Sequence, residues 1–405
     1  MSTSQPFLSR AALWLTFASA AGILFSIAVS QILLALAMAT LFLSGERLRL
    51  PRIRWALALF MVGTVISLAF SGEPAAGLPQ IRKFYVFGEL LIVFSCMRNV
   101  EAVRWLFLTW AGFGSIDALR GLVQFAGKLR EAHQLGINAY DYYVAERITG
   151  FTSHWNTFSA EQMFALIMLG SFLLFAPAMQ KRKWIWGLCA ILMAVAVLLA
   201  ETRGVWIATA VASLYLVWFW NRKLVLLVPA VILVAFLVSP PAIKERFESL
   251  VRPRQSDSNA FRIVTWRTGL HMIAAHPWLG LGPEGPHYHF DEWVPSDIPR
   301  PLPSGWYGHL HNLYLQYAAE RGIPTMLVMM WLLGQTIFDF WHGLRKLPPG
   351  RSNRRFLLQG GIAVVLAILA EGFVEYNLGD SEVLTMFLVV VACGYLALEK
   401  DLAFN

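Results

Sequence analysis

Long apolar runs separated by short polar turns recur along the whole chain. An apolar run of about 20 residues is long enough to cross a bilayer as a helix. The pattern predicts helices over roughly 9–26, 28–44, 55–71, 84–97, 103–126, 156–177, 184–200, 203–220, 223–239, 312–343, 357–375 and 381–398. Only helices and closed barrels satisfy every backbone polar group within lipid. The runs are continuous rather than ten-residue alternations, which selects helices over a barrel. The expected fold class is therefore all-α, a polytopic membrane protein of about twelve transmembrane helices. The tenth run is too long for one span and holds Gly322 and Pro324, so a break or bend is expected there.

Polar segments divide the pattern into three regions: helices over 1–239, a long loop or cap over 240–311, and helices with a short tail over 312–405. The loop carries tryptophans and an amphipathic stretch at 260–275, with Phe261, Val264, Trp266, Leu270 and Ile273 on its apolar side. It is expected to form a small, partly helical cap with one or two helices lying on the membrane. No internal repeat or low-complexity tract is evident.

Composition agrees with this pattern: 57% of residues are hydrophobic, and mean hydropathy is +0.55. Ala18-Ser19-Ala20 resembles a signal cleavage site, but the apolar stretch continues to Leu43, so two anchored helices with a bend are expected. Cys96, Cys189 and Cys393 are scattered in apolar segments and fit small packing residues better than a disulfide framework.

The net charge of +8 serves two purposes. With both termini cytoplasmic, most basic residues fall in dense clusters beside inner helix ends: Arg47 to Arg54, Arg98 and Arg104, Lys181 to Lys183, Arg222 and Lys223, and Arg345 to Arg355. Orientation explains these, and no nucleic-acid partner is expected. The outer side then holds segments near 72–83, 128–155 and 240–311. Eight of the nine histidines (His133, His154, His271, His276, His287, His289, His309 and His311) fall there, leaving only His342 inside.

Several outer residues are candidates for chemistry, each with an ordinary structural alternative. Arg203, in Glu201-Thr202-Arg203-Gly204, starts a helix. An arginine at membrane depth faces a cavity or a partner, or snorkels beside Glu201. Gly204 would let a ligand approach the backbone. Arg262 and Arg267 lie on the amphipathic stretch, where contact with lipid headgroups is the alternative. His311 is suited to general-base work near neutral pH, the alternative being an interfacial histidine bonded to backbone. His309 makes a His-x-His pair with it, but no carboxylate or cysteine stands nearby in sequence to complete a metal shell, so no metal and no cofactor are expected. Arg82, Lys83, Arg120, Gln124, Arg147, His154 and Asn156 complete an outer cavity rich in arginine. Arginine's planar fork suits diphosphate. There is no phosphate loop, no outer Asp-x-Asp and no nucleophile elbow. Glu371 and Glu375, at one outer helix end, have no assigned role.

The arrangement resembles the O-antigen ligase family, whose superfamily also holds O-antigen polymerases and protein O-oligosaccharyltransferases. His311-Asn312-x9-Gly322-x-x-Thr325 matches the family's His-[Asn/Ser/Gln]-x9-Gly-x-x-[Gly/Thr/Tyr] pattern. Thr202-Arg203-Gly204, Arg262-x3-Trp266 with His276-Pro277-x2-Gly280-x-Gly282, and Arg147-Ile148-Thr149-Gly150 with His154-Trp155-Asn156 resemble three further family segments. The resemblance implies a glycosyltransferase of lipopolysaccharide biosynthesis that needs neither metal nor nucleotide. Its donor would be a polysaccharide on undecaprenyl diphosphate, and its acceptor a sugar hydroxyl of lipid A-core. His311 would be the general base, with Arg203 and Arg262 on the donor diphosphate. Substrate contacts would fall to Arg82, Lys83, Arg120, Gln124, Arg147, His154, Asn156, Arg267, His309 and Asn312. The enzyme would work in the bacterial inner membrane with its site on the periplasmic side. Rival readings are a polymerase, disfavoured by the short tail Lys400 to Asn405, a protein glycosyltransferase, or a transporter of an anionic lipid-linked substrate.

Overall fold

The computed structural model describes residues 4–177, 183–238, 244 and 259–399. Lys181, Arg182, most of the 239–258 segment and the last six residues lie outside the described residues. Among the described residues the protein is all-helical, with no strand.

The first half comprises α1 (Ser4–Gly22), α2 (Ile27–Leu43), α3 (Arg54–Ala69), α4 (Pro74–Arg82), α5 (Gly88–Cys96), α6 (Val100–Leu135), α7 (Ala139–Ala145), α8 (Trp155–Phe175), α9 (Lys183–Leu199), α10 (Arg203–Asn221) and α11 (Val228–Val238). The rest comprises α12 (Asn259–Ala275), the single turns α13 (Gly285–Tyr288) and α14 (Phe290–Trp293), then α15 (Leu313–Lys346), α16 (Asn353–Glu371) and α17 (Ser381–Leu398). Local chemistry sets the ends. Ser26, Asn99, Asn138, His154, Asn312, Ser352 and Asp380 each cap a helix by accepting a backbone N–H. Gly136, left-handed at φ 65°, stops α6.

Five helices are long and apolar enough to cross a membrane: Trp155–Phe175, Arg203–Leu227, Leu313–Lys346, Asn353–Glu371 and Ser381–Leu398. Ile27–Leu43, Arg54–Ala69 and Lys183–Leu199 are shorter apolar helices. The protein is thus a membrane protein, but the expected twelve spans are not all reproduced. The run at 84–97 becomes a 3-10 turn (Lys83–Phe87) followed by the nine-residue α5. The run at 103–126 lies inside the 36-residue α6, which carries Arg104, Asp117, Arg120, Lys128 and Arg130 and extends into the expected outer loop.

α8, α16 and α17 form the buried centre, while α10 and α15 turn much of their surface outward. α16 packs on α8, α10, α15 and α17. Trp14, Ile32, Phe42, Val123, Trp184 and Phe338 lie exposed on the flanks, as large apolar side chains do where the solvent is lipid. Arginines at one end of the bundle hold distant segments together. Arg49 pairs with Glu399, Arg98 with Glu46 at 3.2 Å, and Arg354 donates to the Glu399 carbonyl at 2.8 Å.

The cap has a small core of its own, built from Val264, Met272, Phe290, Ile298 and Leu310 with Ala319 of α15. In α12 the inward side carries Val264, Thr265, Thr268 and Met272. Leu270, expected on the apolar side, is exposed instead. The expected break in α15 is present: Gly322 sits at φ 79°, ψ 160°, inside an otherwise helical run. It lets the cap close on the helix. Ile323 N–H donates to the Pro277 carbonyl at 2.8 Å, Leu281 N–H to Ala319 at 2.8 Å, and Gly282 N–H to Glu320 at 2.9 Å. A Cβ on Gly280 would lie 2.4 Å from the Glu320 backbone. The His-Pro-x2-Gly-x-Gly segment and the Gly322 break are therefore two sides of one backbone contact.

Candidate active site

Two adjoining cavities open where the cap meets the helix ends. The first, about 340 Å³, is lined by Arg147, His154, Trp155, Asn156, Thr202, Arg203, Phe261, Arg262, Trp306, His309, His311 and Glu375. The second, about 580 Å³, shares His154, Asn156, Trp306, His309 and Glu375 with it. It continues over Gln80, Lys83, Glu284, Glu320, Glu371, Asp380 and Glu382. The first cavity is dominated by cations and the second by carboxylates, with the shared residues between them.

Each chemical side chain is placed by its local segment. His311 stands one residue before the Asn312 cap of α15, with its backbone left-handed at φ 47°. A non-glycine residue held there stores strain, which clusters at functional sites. Arg203 is the first residue of α10 and is buried. Its neighbour Gly204 lines neither cavity, contrary to expectation. A Cβ there would meet Val374 at 2.7 Å, so the glycine lets α10 pack on the turn after α16. Arg262 reaches from α12 to within 3.9 Å of Glu375. The Arg147 guanidinium stacks 4.8 Å from the Trp155 ring. His154 caps α8, its Nδ1 accepting from Asn156 N–H at 3.2 Å.

Glu375 joins these groups. One of its oxygens accepts from Asn156 Nδ2 at 3.0 Å and the other from Tyr376 N–H at 3.0 Å. His311 Nδ1 lies 3.3 Å from Oε1 and His309 Nε2 lies 3.3 Å from the same atom. Burial alone would keep this carboxyl protonated. The His311 hydrogen bond, the neighbouring imidazoles and Arg262 outweigh burial and hold it well below the usual carboxylate range. His309 moves the other way: burial, assisted by the charges of His311, Arg262 and His154, pushes it down to about 4 against the pull of Glu375. Burial likewise lowers His154, with Arg147 and His311 acting in the same sense and Glu375 and Asp380 opposing.

Glu375 corrects one sequence argument. His309, His311 and Glu375 bring three ligand atoms within 4.8 Å of one another, so a carboxylate does stand beside the His-x-His pair. The ring partners nevertheless fit a metal poorly. His309 Nδ1 accepts the His311 backbone N–H at 3.0 Å, which leaves the ring proton on Nε2, the nitrogen that faces Glu375. A ligating histidine is oriented the opposite way, donating its remote N–H and presenting a lone pair to the metal.

The remaining sequence candidates separate into two groups. Lys83 lines the second cavity, where its Nζ donates to the Gly379 carbonyl at 3.0 Å. Arg82, Arg120, Gln124 and Arg267 line neither cavity. Arg120 stacks 4.5 Å from the Phe151 ring, and Arg267 bridges Asp297 on the surface at 2.6 Å. Gln124 Oε1 accepts from Thr149 N–H at 3.0 Å and Gly150 N–H at 2.9 Å, stapling the turn ahead of His154. Asn312 Nδ2 donates to the Phe373 carbonyl at 2.9 Å while its oxygen caps α15, so it fixes the His311 loop to the turn before Glu375. Asp117, which the sequence argument passed over, accepts the Phe151 N–H at 2.7 Å and locks the same turn as Gln124.

Residues 188–330 match the family model described as O-antigen ligase. The match supports the O-antigen ligase family. It spans α9 to the first half of α15 and so includes Arg203, Arg262, His309 and His311, but not Glu375. No curated protein matches the chain. The match points to the ligase and polymerase superfamily and agrees with the membrane-helix character of the chain.

Proposed function

We propose that this protein is an enzyme of the O-antigen ligase family that transfers a polysaccharide from undecaprenyl diphosphate to a sugar hydroxyl of lipid A-core, on the periplasmic side of the bacterial inner membrane. The observation that carries the reading is the junction of a cavity holding Arg147, Arg203 and Arg262 with His311 at its inner wall. The arginines receive the donor diphosphate, whose charge grows as the glycosidic bond breaks; stabilising that charge is where catalysis gains most. The acceptor enters from the second cavity, where carboxylates and amides accept hydrogen bonds from sugar hydroxyls. The acceptor oxygen attacks the anomeric carbon, undecaprenyl diphosphate departs with the bonding electrons, and His311 takes the hydroxyl proton. Attack opposite the leaving group inverts the anomeric centre. No metal enters this scheme.

The test is transfer in liposomes, combining undecaprenyl-diphosphate-linked glycan with lipid A-core. Wild type should form the glycosylated product and His311→Ala should not, at equal protein level. Elongation of the donor chain in place of transfer would make the enzyme a polymerase. Activity lost to a chelator and restored by a divalent cation would overturn the arginine-only scheme.

A further inference from the structure

Glu375 lies outside every sequence motif that carried the resemblance, yet it touches several of the motif residues. Its carboxylate meets His311, His309, Arg262 and Asn156, which come from three segments. It is 7% exposed.

The two nitrogens of His311 face different partners. Nε2 is 3.1 Å from the Trp306 carbonyl oxygen and Nδ1 is 3.3 Å from Glu375 Oε1. A carbonyl and a carboxylate both accept, so each ring nitrogen faces a group that can receive its N–H. The ring is held between the two. Phe261 and Trp306 stand edge-on to the ring at 5.0 and 6.1 Å between centroids and limit its rotation.

We propose that Glu375 is the positioning residue of a carboxylate–histidine pair, fixing His311 Nδ1–H so that Nε2 is the atom that takes the acceptor proton. The Trp306 carbonyl marks the place of the acceptor hydroxyl. This inference rests on the transferase reading above. When the acceptor displaces that carbonyl and the Nε2 proton has passed to solvent, Nε2 offers a lone pair. The acceptor O–H bond then breaks toward Nε2 as the acceptor C–O bond forms, and the resulting imidazolium is stabilised by Glu375. The carboxylate itself stays ionised throughout. A hydrogen-bonded carboxylate serves the histidine base of other hydrolytic and transfer enzymes in the same geometric role.

The experiment compares wild type with Glu375→Gln and Glu375→Asp in liposomes, measuring kcat, acceptor KM and their pH dependence. Glu375→Gln should lower kcat roughly 100-fold or more with acceptor KM changed less than about threefold. It should also move the acid limb of kcat to lower pH, because the imidazolium loses its counter-charge. Glu375→Asp should recover part of kcat and return the acid limb. A Glu375→Gln enzyme with wild-type kcat and pH profile, or with its whole loss in KM, would overturn the proposal. Carbethoxylation of His311 against pH gives a readout that needs no turnover. Its midpoint should drop in Glu375→Gln, and an unchanged midpoint would overturn the pairing even if the transferase reading stands. Wild type that transfers glycan to no acceptor would instead defeat that reading, and the carbethoxylation midpoint would still decide the pairing.

Discussion

Gly322 and Trp278 meet backbone to backbone: a Cβ on Gly322 would lie 2.0 Å from the Trp278 carbonyl oxygen. The glycine of the His-Asn-x9-Gly motif is thus required by the cap and not by a ligand. Its φ of 79° adds a second demand that L side chains meet poorly. Gly322→Ala should therefore cost roughly 2 kcal/mol or more in stability. It should also lower activity by moving the cap, although no atom of residue 322 touches the cavities. Thermal unfolding in detergent, read beside the transfer assay, checks this. A fully stable and active Gly322→Ala would remove the explanation.

Arg203 and Arg262 line the cavity proposed for the diphosphate. Lysine keeps the charge but not the planar fork that grips two oxygens at once. Arg203→Lys and Arg262→Lys should each lower kcat/KM about 100-fold, nearly as far as the alanine variants. Steady-state kinetics with varied donor decides the point. Lysine variants at near wild-type rate would mean that charge alone suffices and that the fork is not used.

The helical class, the α15 break and the arginine–histidine gathering were legible in the sequence because each has a local signal: apolar run length, Gly322 with Pro324, and basic residues left over from orientation. Helix lengths near 84–97 and 103–126 were less legible, because charges such as Asp117 are buried by partners distant in sequence, here Gln162 at 2.9 Å. Glu375 was not placed because its significance lies in contacts with His309 and His311, more than 60 positions away. The available signal was a pair of carboxylates, Glu371 and Glu375, at the end of an apolar run, where ionisable groups are rarely neutral to function.

Arg120 and Arg267 were grouped with the other arginines by their outer position and their neighbours in sequence, but neither lines the two cavities. Arg120→Ala and Arg267→Ala should retain transfer within about threefold, since exposed ion pairs and stacking contribute little. Asp117→Ala is the contrasting case. It leaves the Phe151 N–H without its acceptor at the turn that leads to His154 and should lose stability by about 1–3 kcal/mol. A parallel set of melting curves and rates would show whether charge or turn geometry matters here. A large rate loss in Arg267→Ala would return that residue to the site.

His309 makes stability depend on pH. Its folded value, about 4, lies below the ordinary imidazole value of 6.5. Below pH 6.5 the unfolded chain binds a proton that the folded ring refuses, so stability falls as pH drops from about 6.5 toward 4. Glu375 acts in the same sense at lower pH, since its depressed carboxyl favours the folded state only while ionised. His309→Gln should flatten the decline between pH 6.5 and 4.5 and spare about 2–3 kcal/mol at its acid end. Melting temperature against pH for the two proteins measures this. Parallel curves would mean that His309 is not held neutral.

The segregation of charge between the cavities makes a prediction about the acceptor. Glu284, Glu371, Asp380 and Glu382 border the second cavity, with Lys83 as the one lysine or arginine on its wall among the described residues. A phosphate or uronate there would meet the Glu284 and Asp380 carboxylates, and like charges cost most where solvent is scarce. Neutral sugars instead donate hydroxyl hydrogens to those oxygens. Acceptors ending in a neutral or amine-bearing sugar should therefore outperform the same acceptors carrying a phosphate on that sugar by at least about tenfold in kcat/KM. Glu382→Lys should narrow the gap. Competition between neutral and phosphorylated acceptors in one liposome preparation tests both statements, and a preference for the phosphorylated acceptor would place its sugar outside this cavity.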